Sequence, residues 1–128
     1  KKTVPTRRTW MLVLFDGDAV LLEKRPPAGI WGGLWSLPEA ADEAALAERS
    51  HAFGGAGALE RLTPFTHTFT HFKLEIEPRA ADVDADGARL APEAGDSETA
   101  WVPLGNLDAY GVPAPVRKLL DSLRGSLL

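Results

Sequence analysis

Hydroxyl groups, imidazoles and aromatic rings alternate in one short stretch of the chain, residues 66–72, with the sequence THTFTHF. A threonine hydroxyl both donates and accepts hydrogen bonds, and an imidazole changes its charge near neutral pH. His67 and His71 alone do not make a metal site, because zinc sites take further protein ligands. The stretch is therefore suited to hydrogen bonding and stacking.

A second pattern begins at Gly33 and resembles the motif of the Nudix hydrolases. In that family a glycine, five residues, a glutamate and seven further residues precede Arg-Glu-apolar-x-Glu-Glu-x-Gly-apolar. With Gly33 in the first place, the frame puts Glu39, Glu48 and Gly54 on matching positions without a gap. These matches imply a Nudix-like fold.

The mismatches of this frame fall on the residues that do the chemistry in the family. The two consecutive glutamates correspond to His51 and Ala52, and the arginine corresponds to Ala47. In active enzymes the clustered carboxylates hold magnesium, which prefers hard oxygen ligands and activates water. Because Glu48 alone cannot build such a site, we expect no catalytic residue and no metal site in this chain.

Three stretches together resemble the C-terminal domain of the MutY-type adenine DNA glycosylases. They are RPPAGIWGGLWSLP at residues 25–38, HTFTH at residues 67–71, and PAPV at residues 113–116, which leads into a closing helix. Enzymes of that family remove adenine mispaired with 8-oxoguanine, and this domain inspects the oxidised base. The resemblance implies a reader of 8-oxoguanine opposite adenine in double-stranded DNA, acting in base excision repair.

The resemblance also implies roles for five residues. Thr70 stands where the family has a serine that contacts the oxidised base, so the hydroxyl is kept and a methyl group is added. Phe69 would wedge or stack beside the base, and His71 would contact a phosphate or the base edge. Lys24 and Arg25 would meet phosphates. Each role has a structural alternative: a core aromatic, an ordinary strand threonine, a surface histidine and solvated cations.

In the glycosylase family, the catalytic carboxylates and a cysteine-bound iron–sulfur cluster belong to an N-terminal domain. This chain has no cysteine, so the cluster and the bond-breaking step are expected in that other domain, which would be its partner. The chain alone is predicted to be non-catalytic, and we expect it inside the cell, in the cytoplasm or nucleoid if the source is a bacterium. Two alternatives stay open: an active Nudix hydrolase of oxidised nucleotides, and a protein-binding adaptor that uses an acidic loop at residues 82–98.

Length and composition fit a single globular domain of 128 residues with a formal net charge of −4. The charge argues mildly against nucleic acid, but phosphate contacts need only local cations. No apolar run approaches the roughly 20 residues that span a bilayer, so we expect no membrane contact. A basic arm is predicted at residues 1–8, from Lys1, Lys2, Arg7 and Arg8, and the folded domain at residues 9–128.

Hydropathy and turn residues predict a mixed α/β domain, a Nudix-like sheet flanked by helices. Strands are predicted at residues 9–15, 19–24, 34–37 and 66–77, helices at about 41–49 and 115–123, a flexible loop at 82–98 and a packed segment at 101–104. Residues 9–15 are apolar throughout, which is typical of a strand buried on both faces. In the strand predicted at 66–77, alternation places His67, Phe69 and His71 on the face opposite to Leu74.

Overall fold

The computed structural model describes residues 4–84 and 98–127. These residues form a sheet of eight strands, two α-helices and a short 3₁₀ helix. In chain order the elements are β1 (Thr6–Asp16), β2 (Ala19–Lys24), β3 (Trp35–Ser36), β4 (Glu39–Ala40), α1 (Glu43–Ala52), β5 (Gly55–Arg61), β6 (Phe65–Thr68), β7 (Lys73–Val83), β8 (Thr99–Pro103), the 3₁₀ helix (Leu104–Ala109) and α2 (Ala114–Leu127).

The sheet is built around the parallel pair β1 and β7, in which Thr6 lies opposite Lys73. Strand β1 also pairs antiparallel with β2 and β4, and β7 pairs antiparallel with β5 and β6. Strands β3 and β8 extend the sheet on β2. Parallel and antiparallel pairs thus occur in one sheet, as expected for the predicted mixed α/β class.

Side chains of β1 alternate between two apolar layers. Met11 and Val13 are fully buried with α2, whose Val116 belongs to the same cluster, while Leu12 is buried on the other face with Leu46 of α1. The helices thus cover opposite faces of the sheet. This arrangement confirms the prediction that residues 9–15 form a strand buried on both faces.

Helix α1 begins after Asp42, whose carboxylate accepts a hydrogen bond of 2.8 Å from the Ala45 amide. This cap satisfies one of the amides that the first helical turn leaves without a partner. The chain turns at Gly54, which has a φ of 98° and therefore a backbone conformation that favours glycine. The helix was predicted at residues 41–49, so it is shifted by two to three residues, and Glu39 lies before it.

Helix α2 is longer than the predicted residues 115–123, and its Val116 and Leu120 are fully buried. On its solvent side Arg117 donates hydrogen bonds to Asp108 at 2.6 Å and to Asp121 at 3.1 Å. The hydrogen bond to Asp108, followed by that to Asp121, raises the pKa of Arg117 above its ordinary value. The bond to Asp108 ties α2 to the 3₁₀ helix, while the bond to Asp121 lies within α2.

The single strand predicted at residues 66–77 is wrong. The segment is a hairpin of β6 and β7, closed by a turn in which the Phe69 amide donates to the Phe72 carbonyl at 2.8 Å. His67 lies opposite Leu74 on the neighbouring strand, so both point to the same face of the sheet. The predicted opposite faces are therefore also wrong, because alternation cannot be counted through a turn that reverses the chain.

The end of the basic arm and the start of the acidic loop also differ from the prediction. Strand β1 begins at Thr6, so Arg7 and Arg8 belong to the sheet. Strand β7 continues to Val83, so Asp82 is a strand residue, while residues 85–97 of the predicted acidic loop lie outside the described residues. In the described parts of the chain, helices are all too short or too polar to cross a membrane.

Candidate functional site

The tip of the β6–β7 hairpin presents Thr70 and His71 to solvent. Both side chains are exposed, whereas Phe69 and Phe72 on either side of them are half-buried. The hydrogen bond from the Phe69 amide to the Phe72 carbonyl closes the turn directly beneath the tip. The hydroxyl of Thr70 is thus available to a ligand, and its position is set by the two phenylalanines.

Aromatic rings surround Phe69 on the protein side. Its ring is stacked on Phe72, with 4.6 Å between centroids, and lies edge-on to His67 at 4.7 Å. Trp31 contacts Phe69 at 5.5 Å and His67 at 5.9 Å. Such ring pairs add about 0.5–1.5 kcal/mol each beyond the area they bury. Phe69 therefore anchors the hairpin tip, which agrees with the core-aromatic alternative, and its contact with DNA stays a prediction.

The loop at residues 25–34 holds Trp31 against this hairpin. Its ends are joined by a hydrogen bond of 2.7 Å from the Arg25 amide to the Leu34 carbonyl. Trp31 has a φ of 53°, the only positive φ outside glycine among the described residues. A β-carbon on Gly32 would lie 2.2 Å from the Pro27 carbonyl oxygen, so two parts of the loop touch there. The fixed loop brings Trp31 to the hairpin.

Lys24, at the end of β2, and Arg25, at the start of the loop, occupy different environments. The Arg25 guanidinium lies 2.8 Å from Glu39 and also donates to the Ile30 carbonyl at 3.3 Å, so it holds the loop together. Lys24 is 42% exposed and lies 3.9 Å from the exposed Glu98. The structure thus brings the loop to the hairpin through Trp31, while Arg25 faces an internal carboxylate. Of the two, Lys24 has the more accessible charge.

A cleft of about 810 Å³ opens on the other side of this loop. It is lined by Glu23, Lys24, Arg25, Pro26, Pro27, Gly33, Glu39, Arg49 and Glu98. Arg49 of α1 donates to both carboxylate oxygens of Glu23, at 3.2 and 2.5 Å, and to the Glu39 carbonyl at 2.8 Å. Glu39 itself accepts from Arg25 and from the Thr9 hydroxyl.

The carboxylates of the cleft are therefore neutralised by protein cations. Glu23 and Glu39 face Arg49 and Arg25, and charge-assisted pairs of this kind use the oxygens that a cation would need. Glu48 is exposed on α1. Within residues 4–84 and 98–127, no group of three or more His, Asp or Glu side chains is placed to hold a metal ion. The arrangement suits a structural ion-pair network.

Arg7 is a further cation beside the hairpin, and the sequence patterns did not predict that it lies there. Its guanidinium carbon lies 4.5 Å from the centroid of the Phe72 ring, within the range of a cation–π contact. The partners are far apart in sequence and meet because β1 and β7 pair in parallel. No local spacing signals such a contact, so sequence reasoning could assign Arg7 only to a basic arm.

A protein-family model, the NUDIX domain, matches residues 9–122 of the chain. The chain belongs to the NUDIX domain family. The C-terminal domain of mouse MUTYH, solved in complex with human PCNA, has the same fold: the TM-score is 0.71 at 22% identity, over 93% of this chain and 88% of that one. The NUDIX domain of Shewanella oneidensis NrtR, solved with ADP ribose, gives 0.63 at 18% identity, over 100% and 91%. The predicted Nudix-like fold is confirmed.

Curated relatives of this NUDIX domain include two adenine DNA glycosylases from Buchnera aphidicola. The chain is 24% identical over 127 residues to the enzyme of the subspecies Baizongia pistaciae, and 25% identical over 128 residues to that of the subspecies Acyrthosiphon pisum. The matches cover 97% and 99% of this chain but 34% and 36% of the relatives. The chain thus spans about a third of their length, and its predicted resemblance to the C-terminal part of adenine DNA glycosylases is confirmed.

In this NUDIX domain the segment that aligns with the hydrolase motif contains ion-paired residues and lacks the paired glutamates of active enzymes. The frame puts Ala47 where the motif has arginine, yet Arg49 reaches the cleft from two residues further along α1. His51 and Ala52, which replace the paired glutamates, are exposed at the end of the helix. Arg49 thus joins the helix to Glu23 of β2 and to Glu39 of β4.

Proposed function

We propose that this chain is the recognition domain of an adenine DNA glycosylase, and that it reads 8-oxoguanine opposite adenine in base excision repair. The observation that carries this proposal is the hairpin tip, where Thr70 and His71 are exposed between the stacked rings of Phe69 and Phe72. Similarity to adenine DNA glycosylases over nearly the whole chain supports it.

The chemistry of the oxidised base fits the hydroxyl of Thr70. Oxidation converts the N7 acceptor of guanine into a donor and adds a carbonyl at C8. A hydroxyl can accept from this new N–H and donate to an oxygen. Loss of such a bond at a closed interface leaves a polar group without a partner, at a cost of about 1–3 kcal/mol. Thr70 would therefore select the oxidised base over guanine.

The glycosylase step belongs, in this proposal, to an N-terminal domain of the same protein that holds the iron–sulfur cluster. That domain would bind the duplex and supply most of the affinity, because it raises the effective concentration of the hairpin tip near the DNA. The present chain then needs only modest affinity of its own, which is compatible with its net charge of −4. Its place of action would be the DNA inside the cell.

The two alternatives receive less support. An active hydrolase of oxidised nucleotides would need carboxylates free for magnesium, and in the cleft Glu23 and Glu39 are paired with Arg49 and Arg25. An adaptor that uses the acidic loop would depend mainly on residues 85–97, which lie outside the described part of the chain. Neither alternative accounts for the exposed hydroxyl and imidazole at the hairpin tip.

An NMR titration of this chain with two short duplexes tests the proposal. One duplex carries 8-oxoguanine opposite adenine, and the other carries guanine opposite adenine. Shifts centred on Phe69, Thr70 and His71, larger with the oxidised duplex, are expected. Thr70→Val, which removes the hydroxyl and keeps the shape, should lower the preference for the oxidised duplex by about fivefold or more.

Thr70→Ser is the matched control, because it keeps the hydroxyl and loses only the methyl group. It should retain the preference for the oxidised duplex. If Thr70→Val also retains that preference, Thr70 does not read the base. Equal shifts with both duplexes in the unaltered chain would contradict recognition by this domain.

A further inference from the structure

Arg7 lies at the end of a row of contacting groups that starts in the loop and crosses the hairpin. The row runs from Trp31 to Phe69 at 5.5 Å, on to Phe72 at 4.6 Å, and to the guanidinium of Arg7 at 4.5 Å. Arg7 pairs in register with Leu74, so it points to the same face of the sheet as the aromatic cluster. Its side chain is exposed.

The charge of Arg7 is not matched by a carboxylate within the described residues. Most of the other arginines in the described residues form ion pairs with carboxylates. These pairs are Arg8 with Glu75, Arg25 with Glu39, Arg49 with Glu23, Arg79 with Glu43 and Glu77, and Arg117 with Asp108 and Asp121. Arg7 therefore stands out beside the hairpin as a cation whose contact is an aromatic ring. Such a contact leaves its N–H groups available.

The contact with the Phe72 ring prepares the guanidinium of Arg7 to bind an anion. The ring restricts the position of the group, and the N–H donors of a guanidinium can form two parallel bonds to phosphate oxygens. The side chain is already restricted by Phe72, so less conformational entropy is lost when an anion binds. These properties match the phosphodiester groups of a DNA backbone.

We propose that Arg7 binds a backbone phosphate next to the base that the hairpin inspects. This inference rests on the proposed reading of DNA, to which it adds a contact that positions the hairpin tip. A phosphate contact carries no sequence information, so Arg7 should strengthen binding to the oxidised and the unoxidised duplex alike. Recognition by Thr70 and positioning by Arg7 thus predict different experimental signatures.

Affinity for both duplexes is measured as a function of salt concentration with the unaltered chain and with Arg7→Gln. Loss of one phosphate contact should lower the magnitude of the slope of log K against log salt by about 0.9. Affinity at low salt should fall by roughly three- to tenfold for both duplexes, with their ratio unchanged. Arg7→Lys keeps the charge without the planar fork, so it should retain most of the slope.

Arg8→Gln is the matched control. Arg8 is adjacent in sequence, but it points to the opposite face and is paired with Glu75. Its replacement should leave the slope unchanged, and the amide spectrum of each variant reports whether the fold is intact. Equal slopes for Arg7→Gln, Arg8→Gln and the unaltered chain would overturn the phosphate contact.

The outcomes separate this inference from the proposed function. If Arg7→Gln lowers the slope while neither duplex is preferred, Arg7 binds phosphate and the reading of 8-oxoguanine fails. If the oxidised duplex is preferred and the slope does not respond to Arg7→Gln, the reading holds and the contact fails. No binding of either duplex at low salt and about 0.1 mM, the range of weak non-specific binding, would overturn both.

Discussion

Arg49 stands two residues beyond the position where the hydrolase motif has its arginine, and it still reaches the cleft. It uses three hydrogen bonds there, two to the Glu23 carboxylate and one to the Glu39 carbonyl. Arg25 fixes the side chain of Glu39. At the scale of single residues, therefore, the carboxylates of the cleft form ion pairs with arginines. These pairs join the loop, β2 and α1.

Replacement of Glu23 by glutamine should destabilise the fold. The Glu23 side chain is 15% exposed and that of Arg49 is 32% exposed, so the loss of one partner leaves a partly buried charge unmatched. We expect the free energy of unfolding to fall by about 1–3 kcal/mol. Urea denaturation followed by circular dichroism measures this difference.

The exposed pair of Lys24 and Glu98 offers a control at the rim of the same cleft. Its groups are 3.9 Å apart and its side chains are 42% and 73% exposed. Lys24→Gln should change the free energy of unfolding by no more than about 0.5 kcal/mol, because solvent screens exposed pairs. A similar loss in Glu23→Gln and Lys24→Gln would contradict a special role for the Arg49 pair.

At the scale of elements, a loop and a hairpin that are distant in sequence are joined by aromatic packing. Trp31 of the loop contacts His67 and Phe69 of the hairpin. The shape of the loop at residues 25–34 depends on Gly32, since a β-carbon there would meet the backbone of Pro27. The loop therefore controls how the hairpin tip is supported.

Gly32→Ala should disturb both the loop and the hairpin. The added methyl group would meet the Pro27 carbonyl oxygen at 2.2 Å and the carbonyl carbon at 2.9 Å, and backbone atoms cannot move aside as side chains can. We expect a loss of about 1–3 kcal/mol in the free energy of unfolding. Amide shifts of Phe69 and Phe72 should change with it, as read in a proton–nitrogen correlation spectrum.

Gly105→Ala is the matched control for this substitution. Its β-carbon would approach only the end of the Arg124 side chain, at 3.4 Å, which can turn away. The free energy of unfolding should change by less than about 0.5 kcal/mol. If Gly32→Ala is tolerated equally well, the loop does not depend on the close approach of its two parts.

Strands and helices with a clear local hydrophobic pattern could be predicted from the sequence. Elements that depend on contacts between distant segments could not. The apolar run of β1 and the stripe of α2 were recognised because burial follows from periodicity. The hairpin turn was missed, because Phe69-Thr70-His71-Phe72 contains no glycine or proline to mark it. Strand β5 was missed for a similar reason: its alanines and glycines are poor strand formers.

The candidate site was predictable only in part. The pattern of residues 67–71 led to Thr70 and His71, which the structure shows to be exposed side by side at the hairpin tip. Lys24 and Arg25 were candidates by charge, and charge alone could not show that Arg25 faces Glu39. Arg7 could be found only from the pairing of β1 with β7, which no local pattern encodes.

At the scale of the whole molecule, a NUDIX fold is present in which Glu23 and Glu39 of the cleft are paired with arginines. We therefore expect addition of magnesium to leave the amide shifts of Glu23, Glu39 and Glu48 unchanged. No nucleoside monophosphate should be released from 8-oxo-dGTP under the same conditions, because no carboxylate cluster is available to hold the ion among the described residues. A magnesium-dependent release of product would instead support the hydrolase alternative.

The parallel pairing of β1 with β7 joins two segments that are far apart in the sequence. Thr6 and Lys73 lie opposite each other although most of the domain separates them in sequence. Contacts between distant segments form slowly, because a long loop must close before they stabilise anything. The contact of Arg7 with Phe72 spans this same pair of strands. The row from Trp31 to Arg7 therefore depends on the pairing of these two strands, and a state of the domain in which the pair has opened lacks the cationic end of the row.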